Sequence, residues 1–486
     1  GFNRETTQYA EEGSWFDGDR VRFRAGRPEN LRGYQPRALS STFDGSARDL
    51  VTWADDSSRK RMIFGTPDKL YEQDGDQLYD ITPITTAVTL ANCFGTSSGS
   101  TRVCCSDAAH GKAVGDYVYF TSTATFNAVS LSTNVYPITS VEGTNVFTIT
   151  VTTAANATAS DVGSATFNYY IPTGNSIAAE GLGYGAATFQ AGVCASQTRA
   201  WNQPASAGSS GIVFDITQWS LDNWGEDIIA NRSGSNIFRF DTNASLTPLH
   251  ATSITTSPVS VNSILVSPND RHLIAFGTNR WEAAATVSGT FNPLLVRWSD
   301  QDDPTEWNPT AATTAGEVVL TDGTKIIGAR RSKNAINIWT DNSLWTMSHV
   351  GPPFTFRFSQ AGTNCGMVGP HAGIDFNGIT YWMGFGNFYR FSGQVETLDC
   401  TVRRYIFDDI NSNYYTKVYA GTNSEFNEII WLYASGTGTE CDKYVIYNPV
   451  DNYWVYGTMF FTTFADKEVF GNTITTGVTA AGNNVY

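Results

Sequence analysis

The chain predicts an all-β fold, a six-bladed β-propeller-like body carrying one inserted small β-sandwich or barrel domain. Three observations lead there. Short apolar segments recur in groups of four, separated by Gly, Asn, Asp and Ser turns, with a repeat of roughly 35 to 50 residues. Helix-period patterns are almost absent, whereas 44 glycines and 13% aromatic residues suit a turn-rich β protein. Between residues 85 and 172 the composition turns to Thr, Ser, Ala and Val with almost no charge, which marks a separate unit.

Taken in chain order, residues 1–46 form an N-terminal docking or closing segment, and residues 47–84 form the first blade, with strands in "LVTWADD", "RMIFGT", "KLYEQ" and "QLYDITP". Residues 85–172 are the inserted β domain, in which "DYVYFT", "VYPITSV" and "VFTITVT" alternate in the period of two that a half-buried strand requires. Residues 173–486 hold the remaining blades and closing strands. Their groups begin "QWSLDNW", "SILVS", "KIIGARR", "HAGIDF" and "KVYAGTN"; "LTPL" and "EWNP" are read as the last strands of the first two groups, and residues 460–486 as a further set that closes the ring with N-terminal strands. Tryptophan respects these boundaries, with Trp15 and Trp53 early, none from 54 to 200, and eleven from Trp201 onward. A propeller accommodates such units because radial repetition leaves each sheet only short, protected edges.

Charge narrows the function. The formal net charge is -15 and the pI about 4.8, so the surface repels polyanions at long range and non-specific DNA binding is not expected. Residues 1–61 are the exception, with 11 Lys and Arg against 10 Asp and Glu, while residues 62–486 hold 20 against 36. Seven scattered cysteines without a C-x-x-C pair suggest synthesis in a reducing compartment. No apolar run is long enough for a membrane segment, the polar start "GFNRETTQYAEEG" does not read as a signal peptide, and one or both ends read as trimmed.

Chemistry-bearing motifs are weak. "GLGYGA" (Gly181, Gly183, Gly185) lacks the following helix of a dinucleotide loop and reads as a linker. "VRWSDQDDPTEWNP" gathers Asp300, Asp302, Asp303 and Glu306, but without the Gly and closing Glu of a calcium loop it reads as turn chemistry. His110 reads as a turn residue; His250, His272, His349 and His371 stand singly; and Cys365 has no positioned base. No catalytic residue, metal ligand or cofactor site is assigned.

The stretch "DGDRVRFRAGRPENLRGY" is different. In a strand, Arg20, Arg22 and Arg24 would share one face and Val21 and Phe23 the other, with "AGRPEN" as the turn that carries Arg27. Such a face can be a solvated exterior, a site for docking carboxylates of another subunit or partner, or a phosphate contact. Arg20, Arg22, Arg24 and Arg27 are the candidate docking residues.

Several long motifs then carry a family resemblance: "GFNRETTQYAEEGSWFDGDRVRFRAGRPENLRGY", "HGKAVGDYVYF", "WSLDNWGEDIIA", "NDRHLIAFG", "LLVRWSDQDDPTEWNP", "TDNSLWTMSHVGPPF", "YWMGFGNFYRFSGQVETLDCTV" and "EIIWLYASGTGTECDKYVIYN". Over nearly its whole length the chain resembles the tail nozzle proteins of short-tailed bacteriophages, also called tail tube B-like or packaged-DNA stabilisation proteins. The resemblance implies a non-enzymatic virion protein, assembled in the bacterial host cytoplasm as a homohexamer below the portal adaptor ring. Tail spikes or fibres attach nearby, and genomic DNA passes through the lumen without specific binding. A carboxylate-lined channel would let DNA slide without adhering. Two alternatives remain, a sialidase-like propeller that binds or cleaves glycans, and a receptor-binding tip protein with its specificity in the insertion.

Overall fold

Short turns leave each strand no partner except the next one, so every four-strand group folds as an antiparallel meander. In the computed structural model the described residues are 1–5, 15–37, 39–171, 216–242, 250–282, 289–333, 335–467, 469–479 and 482–486. The linker motif "GLGYGA" and the segment "LTPL" lie outside them. An N-terminal hairpin, β1 (Val21–Arg24) and β2 (Arg27–Asn30), precedes six four-stranded sheets. These sheets start at Asp49–Ala54, Trp219–Trp224, Val261–Val266, Ile326–Arg331, Gly373–Phe376 and Tyr419–Asn423.

Among the described residues the closing strands do not pair with N-terminal strands, which form the separate hairpin; they make a sheet of their own, Phe461–Ala465, Ile474–Thr479 and Gly482–Val485. First strands of successive sheets touch in chain order, and Phe461–Ala465 touches both Tyr419–Asn423 and Asp49–Ala54. The array therefore closes on itself through seven sheets among the described residues, six of them the four-stranded units expected. One strand assignment needs correction. "EWNP" is not a strand: Trp307 is buried and donates its Nε1 proton to the Pro304 carbonyl within the turn, and the fourth strand of that sheet is Gly316–Val319. In the preceding sheet the fourth strand is Thr252–Ser253.

Indole and carboxylate groups fasten neighbouring sheets. Trp219 Nε1 donates to the Thr66 carbonyl at 2.7 Å, and Trp431 Nε1 donates to the Ala372 carbonyl at 3.0 Å. Asp49 accepts the backbone N–H of Leu221 at 2.8 Å, and Asp222 accepts that of Val266 at 2.7 Å, so an acid on one first strand grips the first strand of the next sheet. Trp219, Trp339, Trp382, Trp431 and Trp454 are fully buried, and the bulk of an indole explains why the repeat is aromatic-rich. Gly65 is required by this packing, since a Cβ there would lie 2.3 Å from Cγ of Trp219.

Residues 82–171 belong to a second compact unit. Its described part pairs a four-stranded sheet, with Tyr117–Phe120 and Ala165–Tyr169 central, and a five-stranded sheet around Arg102–Ser106 and Val146–Thr150. Phe120 and Phe167 from the first meet Phe94, Phe147 and Ile149 from the second in one core, which makes the unit a small β-sandwich. Helix is scarce among the described residues: a seven-residue α-helix, Arg403–Asp409, and a 3-10 turn, Ser412–Lys417. None of the described helices is long and apolar enough to cross a membrane.

Candidate functional site

The arginine stretch forms a tight hairpin because Ala25 and Gly26 both take positive φ, +50° and +77°, the backbone of a type I′ two-residue turn. Register pairs Arg22 with Glu29, Phe23 with Pro28 and Arg24 with Arg27. The turn is thus shorter than "AGRPEN", and Arg27–Asn30 is strand; Pro28 is tolerated there because β2 is an edge.

Three guanidinium groups do not share one exposed face. Arg20 precedes the strand with φ +55°, which breaks the alternation, and its side chain is exposed beside Asp19. Arg22 turns inward, only 6% exposed, and its Nη2 donates to Glu428 Oε2 at 3.0 Å. It also lies over the Phe426 ring, 3.4 Å from the centroid. The physical reason is that both faces of β1 are covered, Phe23 packing against Phe2, Trp15 and Tyr453 while Arg22 meets the sixth four-stranded sheet. Arg22 is therefore an internal tether rather than a docking residue. Arg24 and Arg27, at the tip, are exposed and make no ion pair among the described residues.

Glu428 was missed in the sequence. It opens "EIIWLY", a strand buried at every position, and a lone acid heading such a run is the available signal of a buried pair. Burial pushes its carboxyl up to about 7, against the opposing pull of Arg22. The N-terminal segment is held further along its length. Phe2 N–H donates to the Trp454 carbonyl, and Arg37 N–H donates to that of Val485, each at 2.8 Å.

Two buried histidines also gain partners that spacing did not suggest. His272 bonds Asp270 through Nδ1 at 2.6 Å and Thr314 through Nε2 at 2.9 Å. This carboxylate, imidazole and hydroxyl line superficially matches a nucleophile relay. The Thr314 hydroxyl, however, gives its one proton to Asp300 at 2.6 Å, leaving none for the imidazole to abstract. Burial works to raise Asp300, yet hydrogen bonds from Thr314 side chain and backbone outweigh it and hold the carboxyl below its ordinary value. The acidic turn is thereby a structural clasp, with Asp303 accepting from Thr305 and Glu306 from the Asn308 N–H. His371, also buried, spans the Trp219 carbonyl and Arg330, and burial lowers its basicity. In the inserted unit His110 Nδ1 accepts the Lys112 N–H, a turn contact. Among the described residues no three His, Cys, Asp or Glu converge to hold a metal ion, and Cys365 is a buried free thiol whose basicity burial raises.

Fold and contents define a class, an all-β propeller-like array of sheets with an inserted β-sandwich. No family profile and no curated protein matches the chain. Matching solved structures include phage phi92 endosialidase, with a TM-score of 0.21 and 11% identity over 84% of this chain and 55% of that one. Synechocystis apocarotenoid oxygenase matches with a TM-score of 0.33 and 9% identity over 82% of this chain and 89% of that one. Virginiamycin B lyase from Staphylococcus aureus matches with a TM-score of 0.32 and 9% identity over 55% and 82%. At these scores the likeness carries no functional argument.

Proposed function

We propose that the chain is a virion structural protein of the short-tailed phage nozzle kind, six copies of which form the distal tail channel that retains packaged DNA and conducts it on ejection. The observation that carries the reading is the tip of the arginine hairpin. Arg24 and Arg27 stand exposed, without ion pairs among the described residues, on a chain of net charge -15. Rings are built from heterologous contacts, in which two different surfaces of neighbouring copies meet. A rigid basic hairpin offered to an acidic neighbour meets that need, because guanidinium and carboxylate pair in a directional, bidentate way. The motifs quoted above along nearly the whole sequence supply the tail setting, and with it the portal adaptor ring and the spikes or fibres as neighbours. The work assigned is mechanical, needing neither a catalytic group nor a cofactor, and the channel face of the ring is net negative so that DNA slides past it.

The test is to mix the labelled protein with tailless heads that already carry the connector and to read particle mass and axial density by electron microscopy. Six copies added as an axial ring are expected, and incorporation falls when Arg24 and Arg27 are both Ala. Absence of axial density, or a ring whose channel is lined by Lys and Arg, overturns the reading.

A further inference from the structure

Beside the hairpin, within the sheet array, lies an open cleft of about 890 Å³. Its position follows from chain order: residues 31–37 leave β2 and cross between the first and the last sheets, and the turns of those sheets make the walls. Six cations line it, Arg22, Arg32, Arg37, Arg59, Lys60 and Lys467, against three carboxylates, Asp74, Asp76 and Glu425. This local surplus sits in a strongly acidic chain.

Three of these cations are paired within the chain, Arg22 with Glu428 and two others at the rim. Arg59 is held by Asp55 and Asp74, each at 3.3 Å, and Lys467 by Glu425 at 3.7 Å. Arg32 and Lys60 are exposed and make no ion pair among the described residues. Arg37 lies over the Phe470 ring, 4.7 Å from the centroid. At the floor, Arg22 is 6% exposed, committed to Glu428 and the Phe426 ring, and its buried Nε has no hydrogen-bond partner among the described residues.

We propose that this cleft binds an acidic oligosaccharide. The surplus cations select a ligand bearing carboxylate or sulfate groups. Asp74, Asp76 and Glu425 argue against a nucleic acid strand, whose closely spaced phosphates they repel, yet they accept sugar hydroxyl protons. Gln35, Asn423, Asn472 and Thr473 add neutral donors and acceptors, and half-buried Tyr34, Phe426 and Phe470 supply apolar wall for a sugar ring face. A volume near the upper end of small-molecule sites suits several sugar units rather than one. This inference stands apart from the tail role, because binding to the isolated chain does not depend on ring assembly.

Titration calorimetry on the isolated protein tests it, with hexagalacturonate and a heparin hexasaccharide as probes and maltohexaose and hexathymidylate as comparisons. One acidic hexasaccharide binds with an affinity that falls as salt is raised, and Arg32→Ala with Lys60→Ala weakens it about tenfold or more. Both side chains are exposed, so the melting temperature of this double variant stays at the wild-type value. Failure of both acidic probes to bind, equal binding by the variant, or tighter binding of hexathymidylate overturns the proposal.

Discussion

Replacing Arg22 with Ala leaves Glu428, whose side chain is 2% exposed, buried without its counterion. Breaking a buried pair by removing one partner costs about 3–5 kcal/mol when the remaining group must stay charged. The size of the effect depends on pH. The carboxyl rises from 4.5 to about 7 on folding, a difference worth roughly 3 kcal/mol at ~1.4 kcal/mol per unit. Because the folded value lies above the unfolded one, this contribution is fully present below pH 4.5 and is lost as pH rises through 7. At pH 8 the variant's carboxyl takes up a proton, so the lost pairing costs only the one unit between 7 and 8, about 1.4 kcal/mol, and with the stack on Phe426 about 2–2.5 kcal/mol. At pH 5 Glu428 is neutral in both proteins, and only the stack on Phe426 is lost, about 1 kcal/mol. Arg22 ties the hairpin to a strand 406 residues away, so the damage is local opening, which hydrogen exchange of peptides spanning 17–35 reads directly. After correction for intrinsic exchange, protection falls roughly 30- to 70-fold at pH 8 and less than about tenfold at pH 5. The double variant Arg22→Met with Glu428→Leu restores protection at pH 8, since an apolar pair carries no desolvation cost. Equal losses at both pH values, or a loss below about tenfold at pH 8, refute the reasoning.

Other substitutions test the frame around the hairpin. Gly65→Ala places a methyl group against the Trp219 indole and lowers stability by about 1–3 kcal/mol or more, measured as a fall in thermal midpoint, whereas an unchanged midpoint means the indole has room to shift. Arg24→Ala with Arg27→Ala leaves the melting temperature of the isolated chain unchanged, because exposed groups with no ion pair among the described residues contribute within about 0.5 kcal/mol. Cys93, Cys105, Cys365, Cys400 and Cys441 are free and buried, and burial pushes the Cys400 and Cys441 thiols up to about 12. Mass-spectrometric mapping after maleimide treatment at pH 8 therefore finds these five unlabelled in native protein and labelled after denaturation. Asp222→Ala removes the acceptor of the Val266 N–H and the partner of Arg331 at once, costing about 2–4 kcal/mol in a denaturant melt.

Much of this architecture follows from local sequence. Period-two alternation and turn residues determine where strands start and stop, and both signals act over a few residues, so the six four-stranded groups and the charge-poor inserted unit are legible without a structure. "EWNP" escaped because local apolar content cannot tell a strand from a buried turn whose indole bonds its own backbone. What sits opposite a residue across the array is a different matter. Nothing near Arg22 announces Glu428, and nothing near Arg32 announces Lys60 across the same cleft; these encounters arise when the chain closes a ring and lays its first segment over its last sheets. The sequence by itself determined the strand units, the acidic body and the presence of a basic N-terminal stretch. Tertiary structure alone decided which of its arginines are used internally and which face outward, because burial and counterion distance depend on contacts between distant parts of the chain, and side-chain alternation says nothing about those.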